Sequence, residues 1–441
     1  MHAQLNSSTP GLVSGALSAP TALKALTAIT ALTALLAHAQ SDFSYPPKTN
    51  IEPGTVINQS NVDTFVELVD PAVYSVIAAG EVSITTGPYI AFPQHPNYVG
   101  ATEQYKGQTQ LGPETGDLMN YQNGRPFPEW PDINDPRAGE KVAWNMRYTY
   151  GPDESETQSL SWHYKSMKND TTERTIEMYG ALMRFSHRHS RAPMPELEQN
   201  PANLYSALYL QVQRPQDIRN TQLLTYTKKN DGDAEQAWIY LTAQRRVKRL
   251  PTGQKTDAFL GSDIMIEDFM GYNGRIRDMR WEYLGSKELL APMYAFNALP
   301  ASYKEKKDDE LTVIKFEGKG GCFPSVTWQV RTVHMLKATP VNPSHPLKER
   351  IFSIDAETYV PLLTRIYDRP GNLWKLGMVA ASDSSQHEAK NEDWQGLVTD
   401  GVSMVDLQAR HCTTLQFRTH MPAEDLRPNM FTTQQMRAAG R

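Results

Sequence analysis

The chain has 441 residues, of which 39% are hydrophobic and 21% charged, with a formal net charge of -5 and a pI near 6.1. That length suits one large or two ordinary domains and a core that needs no covalent staples. The acidic balance excludes a general nucleic-acid binder, which carries a clear positive excess.

Residues 1–39 contain no acid and a single Lys, Lys24. The run ALTAITALTALL, residues 25–36, is followed by Ala37-His38-Ala39, a small-x-small pattern. Together they predict a signal peptide over 1–39 and export to the periplasm. The run is short for a membrane span; the other reading is an Ala-rich helix of the mature chain. No later stretch reaches transmembrane length, so the mature chain is expected not to span a membrane. The two cysteines, Cys322 and Cys412, meet an oxidising compartment after export, where a bridge can form. Their spacing leaves open whether they meet. Neither follows the apolar run, which excludes a lipid-modified N-terminal Cys.

Residues 41–55 read as a Pro-rich linker. Val62, Phe65, Val66, Val69 and Val73 share a helical face, with Asn61 as cap, Gly80 as stop and Pro71 as a break between two short helices. Residues 84–136, rich in Pro, Gly and Asn, read as a wrapping segment. From Lys141 the period becomes two. KVAWNMRYTYG, QSLSWHYKS, NLYSALYLQVQRP, TQLLTYTKK and QAWIYLTA read as strands, as do later runs down to VDLQARHCTTLQFR. Residues 282–303 hold shorter apolar pieces with room for one helix. No helix–strand alternation appears, which disfavours a doubly wound fold. The expected domains are a signal peptide (1–39), a linker and wrapping segment (40–140) and a β-domain (141–441).

Trp144, Trp162, Trp238, Trp281, Trp328 and Trp374 fall in these predicted strands. A large antiparallel sheet curls, and alternate residues face its concave side. The tryptophans either fill a core there or line an apolar cavity; the first reading is the simpler for any one of them, and the set as a whole favours the cavity. The cavity candidates are Trp144, Trp162, Trp238, Trp281 and Trp328. Arg245, Arg246, Lys248 and Arg249 crowd one short strand. They read either as charge that protects a sheet edge or as a cationic lip for an anionic head group or an acidic partner.

Catalytic patterns are sparse. GKGG at 318–321 lacks the phosphate-loop spacing, and neither a GxSxG elbow nor HExxH occurs. His187-Arg188-His189 has no third ligand nearby and two arginines that repel a cation. His411 and Cys412 point to opposite faces of a strand. His163, His334 and Asp278 are catalytic candidates that nothing in the sequence brings together.

The stretches AWIYLTAQRRVKRLPTGQKTDAFLGSD, GYNGRIRDMRWEYLGSKELLAPM and KERIFSIDAETYVPLLTRIYDRPGNLWK resemble the proteobacterial domain of unknown function 1329 family. So do GRPFPEWPDINDPRAGEKVAWNMRY and EPGTVINQSNVDTFVELVDPAVYSVIAAGE upstream. The resemblance covers nearly all the mature chain. It implies similarity to the lipoprotein-sorting proteins LolA and LolB. The implied fold is mainly β, a large open antiparallel β-barrel with short helices packed on or in the concave face. It also implies a hydrophobic ligand and a link to inner-membrane lipid exporters of the resistance-nodulation-division type, with no catalytic residues, cofactor or metal. The chain is much larger than the plain carriers. The expected function is a periplasmic carrier of lipid-like cargo toward the outer membrane. The alternatives are a structural adaptor of an envelope export complex, or an enzyme acting on lipid or aromatic substrates.

Overall fold

Sixteen strands join in one sheet. In chain order they are β1 (Val56–Ile57), β2 (Ile84–Thr86), β3 (Glu154–Ser166), β4 (Thr171–Arg184), β5 (Leu204–Arg214), β6 (Gln222–Lys228), β7 (Gln236–Leu241) and β8 (Arg246–Leu250). The second half supplies β9 (Met279–Ala291), β10 (Met293–Tyr294), β11 (Thr327–Pro340), β12 (Leu347–Asp355), β13 (Pro361–Asp368), β14 (Leu373–Asp383), β15 (Leu397–Asp406) and β16 (His411–His420). The computed structural model describes residues 43–149, 151–251, 255–307, 312–387, 391, 394–421, 423 and 426–440; the expected signal peptide lies outside them.

β11 to β16 form an antiparallel meander, and so do β3 to β8. The two are joined by β16 against β3, with Thr413 opposite Tyr164 and Leu415 opposite Trp162. β9 adds to the free side of β11. The short pairs β2–β11 and β10–β14 are parallel. At the far ends, β8 pairs with β7 and β9 with β11, and β8 and β9 do not pair with each other. The sheet is therefore open, mainly antiparallel and not a closed barrel.

Register assigns the faces, because side chains directly opposite each other point the same way. Leu336, Phe352, Thr364, Gly377, Met404, Thr413 and Tyr164 are successive partners and share one face. This face, here called inner, carries Trp162, Ile176, Phe352, Ile366 and Met404, all buried. Two pieces of the chain cover it. One is the connection from β8 to β9, whose Phe259, Ile264, Met265, Ile266 and Phe269 pack on Trp162, Ile176 and Ile366. The other is a helix, Ala138–Arg147, packed with Trp281, Leu336 and Phe352. The inner face is thus covered by the protein's own chain along these strands, which corrects the expectation of an unfilled cavity there.

Four α-helices are described: α1 (Pro71–Ala78), α2 (Pro96–Tyr105), α3 (Ala138–Arg147) and α4 (Thr433–Ala439). Pro71 does divide the first helical region: a 3-10 turn, Val62–Leu68, precedes α1, and Gly80 follows it at φ 72°. The Asp70 carboxylate caps α1 by accepting from the Ala72 N–H at 2.9 Å. Asn61 does not cap the 3-10 turn through its side chain; its Oδ1 accepts instead from Asn58 N at 2.8 Å. α2 arises inside the stretch read as irregular.

α3 corrects the strand expected from Lys141. Every residue from Ala138 to Met146 except Lys141 is buried. Val142, Trp144 and Met146 alternate with Ala143 and Asn145, which imitates a strand inside a helix of ten residues. Gly139 lets the first turn lie on β9: a Cβ there would stand 2.6 Å from the Trp281 carbonyl carbon. Residues 282–303 hold the rest of β9 and two 3-10 turns, Phe296–Ala298 and Ala301–Tyr303, rather than an α-helix.

The outer face is covered twice. Over β14 to β16 lie α1 and residues 290–326, which bury Val73, Ile77, Phe296, Phe323, Leu376 and Val405 in one apolar cluster. Over β4 to β7 lies the C-terminal segment, where Phe431 and Met436 pack on Met183, Tyr209 and Leu224. The Cys322 and Cys412 sulfurs are bonded, tying residues 290–326 to β16.

Candidate ligand cleft on the inner face

Among the described residues, clefts remain beside the inner-face packing, and two of them bear on ligand binding. The first, about 210 Å³, is lined by Leu290, Trp328 and Val330 with Pro47, residues 49–51, residues 86–87 and Tyr89. The Trp328 indole N–H is buried there with no acceptor among the described residues. The second, about 140 Å³, lies where β3 to β6 end. Its floor is Ser155, Leu182, Arg184, Ser206 and Thr227, inner-face residues of consecutive strands. Its roof is the last turn of α3 with Met270, Tyr272 and Ile276. Both volumes lie below the roughly 300–1,000 Å³ usual for ligand pockets.

The second cleft concentrates buried charge. Arg147, at the C-terminal turn of α3, meets Asp231 at 3.3 Å, with both side chains buried. Asp231 also accepts from Ile276 N at 2.8 Å and Arg277 N at 2.9 Å, which anchors the roof. Glu235 pairs with Lys255. Burial pushes the Glu235 carboxyl above its usual range, against the pull of Lys255 and Arg147. Arg184 donates to Thr149 O at 2.8 Å and stacks 5.6 Å from the Tyr205 ring centre. Met270 stands at the lip, 73% exposed, at φ 54°. An apolar lip over buried guanidinium groups matches an amphiphile better than a purely polar solute.

The inner-face filling is clamped to the sheet by polar contacts. Arg350 on β12 meets Glu267 at 2.8 Å and Asp268 at 2.9 Å. Asp263 Oδ2 accepts from the Thr413 hydroxyl at 2.7 Å and lies 2.8 Å from His411 Nδ1, while Lys375 Nζ donates to Asp263 O at 2.6 Å. Burial acts to raise the Glu267 carboxyl, but Arg350 and His345 more than offset it and hold it at about 2.

The tryptophans proposed from sequence do not share one cavity. Trp162 packs on Phe259 and Phe269, with ring centres 5.6 and 6.1 Å apart. Trp281 packs on Tyr272 at 5.3 Å and donates to Ile276 O at 2.8 Å. Both lie on the inner face, in separate apolar clusters. Trp144 is helical and stacks on Tyr148. Trp328 lines the first cleft. Trp238 lies opposite Leu224 on the outer face, half-buried against Tyr226, because its register parity on β7 is that of the outer residues.

Arg246, Lys248 and Arg249 lie on β8, an edge strand, and Arg245 precedes it at φ 48°. Arg245, Arg246 and Arg249 are exposed and Lys248 is half-buried. The catalytic candidates stay apart. His163 contacts Thr175 and Gln416, His334 contacts Ser286, and Asp278 pairs with Arg275. Burial lowers His163 to about 4 and His334 to about 3, so both are neutral at pH 7. His187 Nδ1–H donates to Gln122 O at 2.6 Å, and His189 lies 3.7 Å from Asp153. Sequence reasoning missed Arg184, Glu235 and Lys255; no local motif surrounds them.

Among curated proteins, an uncharacterized protein of Pseudomonas aeruginosa is 26% identical over 297 residues, covering 64% of this chain. The match spans 58% of that relative's length. Among solved structures, a putative outer membrane lipoprotein-sorting protein domain from Vibrio parahaemolyticus is 17% identical, with a TM-score of 0.46, covering 69% of this chain and 100% of its own. A DUF1329 family protein from Desulfovibrio piger is 14% identical with the same TM-score and coverage. A LolA superfamily protein from Nitrosomonas europaea is 12% identical with a TM-score of 0.38, covering 67% of this chain and 98% of its own. The family described as protein of unknown function DUF1329 matches residues 56–437, and the chain belongs to that family.

Proposed function

We propose that the mature chain is a periplasmic, non-enzymatic binding protein for lipid-like amphiphilic cargo. Its proposed partner is an inner-membrane exporter of the resistance-nodulation-division type, in transport toward the outer membrane. The observation that carries this reading is the inner face. The apolar inner face around Trp162 is covered by the β8–β9 connection, clamped by charges, with α3 beside it over Trp281 and a cleft with an apolar lip adjoining. Displacing that connection bares apolar area, which cargo re-covers at about 25 cal/mol per Å² before ordering costs. The cleft holds a polar head without any such movement.

The test is native mass spectrometry of protein purified gently from its own host, followed by lipid titration watched by tryptophan fluorescence. Bound lipid and a shifted emission are expected. A ligand-free protein that leaves fluorescent fatty-acid probes in solution ends the reading.

A second reading, an adaptor without its own ligand, is favoured by how fully the inner face is filled and by the exposed Arg245, Arg246 and Arg249. Among the described residues, no carboxylate pairs with any of the three within 4.0 Å. Under that reading, reversing these charges to Glu releases the partner in pull-down. Stability moves by less than about 0.5 kcal/mol, as for exposed sites, and neither the unaltered chain nor the variant takes up lipid.

A further inference from the structure

The charges of the second cleft are answered within the protein. Arg147 meets Asp231 at 3.3 Å, and Lys255 pairs with Glu235. Arg184, whose backbone N–H donates to Asp153 O at 2.7 Å, is held beside the buried Asp153 carboxylate. Burial acts to raise that carboxyl, but His189, Arg184 and Arg188 more than offset it. The uncharged polar atoms are not answered. Thr149, Ser155, Ser206 and Thr227 line the cleft, and their hydroxyls make no hydrogen bond among the described residues. Ser206 lies opposite Arg184 on one side and Thr227 on the other, so these side chains run in one row along the inner face. Glu235, which lines the cleft and is 6% exposed, uses Oε2 for Lys255 and leaves Oε1 buried with no donor. A buried acceptor without a donor is costly.

We propose that this cleft is a head-group site for a neutral polyhydroxyl group of the glycosyl type. A hydroxyl both donates and accepts. One ligand hydroxyl donates to Glu235 Oε1, and others exchange hydrogen bonds with the Ser and Thr hydroxyls of the floor. An anionic head finds no unpaired cation here. An ammonium head satisfies Oε1 but brings its charge to a carboxylate that Lys255 already neutralises. A choline head has no donor to give. The cleft, about 140 Å³, is close to the roughly 150 Å³ that accommodates one six-membered ring. Met146, Leu182 and Met270 adjoin it to receive the first carbons of a chain. The inference rests on the amphiphile-binding reading above.

Calorimetry on the chain purified from its own host, with octyl amphiphiles kept below their micelle concentrations, tests it. Octyl glucoside is expected to bind about tenfold or more tightly than octyl sulfate, octylammonium or octylphosphocholine, which share its chain and differ in the head. Ser206→Ala with Thr227→Val, which breaks no hydrogen bond within the protein, lowers the affinity for octyl glucoside about fivefold or more and leaves octyl sulfate unchanged. An unaltered affinity in that double variant removes the floor from the site and overturns the inference. The head-group series on the unaltered chain needs no variant, so a misfolded variant does not shelter the proposal. Equal binding of all four amphiphiles, or tightest binding of a charged one, overturns the head-group inference and leaves amphiphile binding standing. Methyl glucoside binding as tightly as octyl glucoside, with the same dependence on Ser206 and Thr227, retains the head chemistry and overturns the amphiphile reading.

Discussion

The two coverings of the sheet are built on different physics. Over β14 to β16 the outer covering is an apolar cluster closed by the Cys322–Cys412 bond, with Asp70 paired to Arg365 and Tyr294 and His387 both on Asp400. The inner covering also has an apolar core, but charged and polar side chains pin it down: Asp263, Glu267 and Asp268 to the sheet, and Lys255 to Glu235. Apolar burial and a covalent bond respond little to acid or to a competing ion. Buried ion pairs respond strongly, because losing one partner strands the other. The outer covering is thus held by a covalent bond as well as by its ion pairs, whereas the inner one has ion pairs and no such bond.

Three measurements break or sharpen this contrast. The largest effect is expected from Cys322→Ser with Cys412→Ser. The bond closes a loop of 90 residues, which the chain-entropy account values at roughly 4–5 kcal/mol. The denaturant midpoint falls, and protection from hydrogen exchange is lost first in residues 290–326. An unchanged midpoint removes the bond from the outer covering's strength.

Next comes Arg350→Met, which strands Glu267 and Asp268 at a site where the Arg350 side chain is 1% exposed. The expected loss is about 3–5 kcal/mol, partly recovered by adding Glu267→Gln and Asp268→Asn. Hydrogen exchange should quicken across residues 259–276 and not across 290–326. Equal quickening in both would refute separate coverings.

The mildest is acid. Glu267 is held at about 2 against an ordinary 4.5, so its contribution is fully present above pH 4.5 and is lost as pH falls from 4.5 toward 2. That shift corresponds to roughly 3 kcal/mol. Exchange corrected for intrinsic rates, at pH 3 against pH 6, should show residues 259–276 losing protection ahead of 290–326.

Much of the β-architecture was legible in the chain. Period-two runs give β3, β5, β6, β7, β14 and β16 because each strand's pattern is local. Pro71 divides the first helical region because a proline removes a donor wherever it sits. α3 was misread because Val142, Trp144 and Met146 alternate within a ten-residue helix and only its packing on β9 decides between the two patterns. Trp238 was assigned to the wrong face because parity is relative: only the pairing of β7 with β6 says which parity is inner.

Local order therefore determined strand content, the break at Pro71, the crowding of cations on β8 and the family. Tertiary structure alone decided that β16 would seat against β3, that the β8–β9 connection would fill the concave side, and that Arg184 and Glu235 would share a cleft. The physical reason is that strand propensity and charge are carried by neighbouring residues, whereas pairing partners and unpaired buried groups exist only once distant segments have excluded water together.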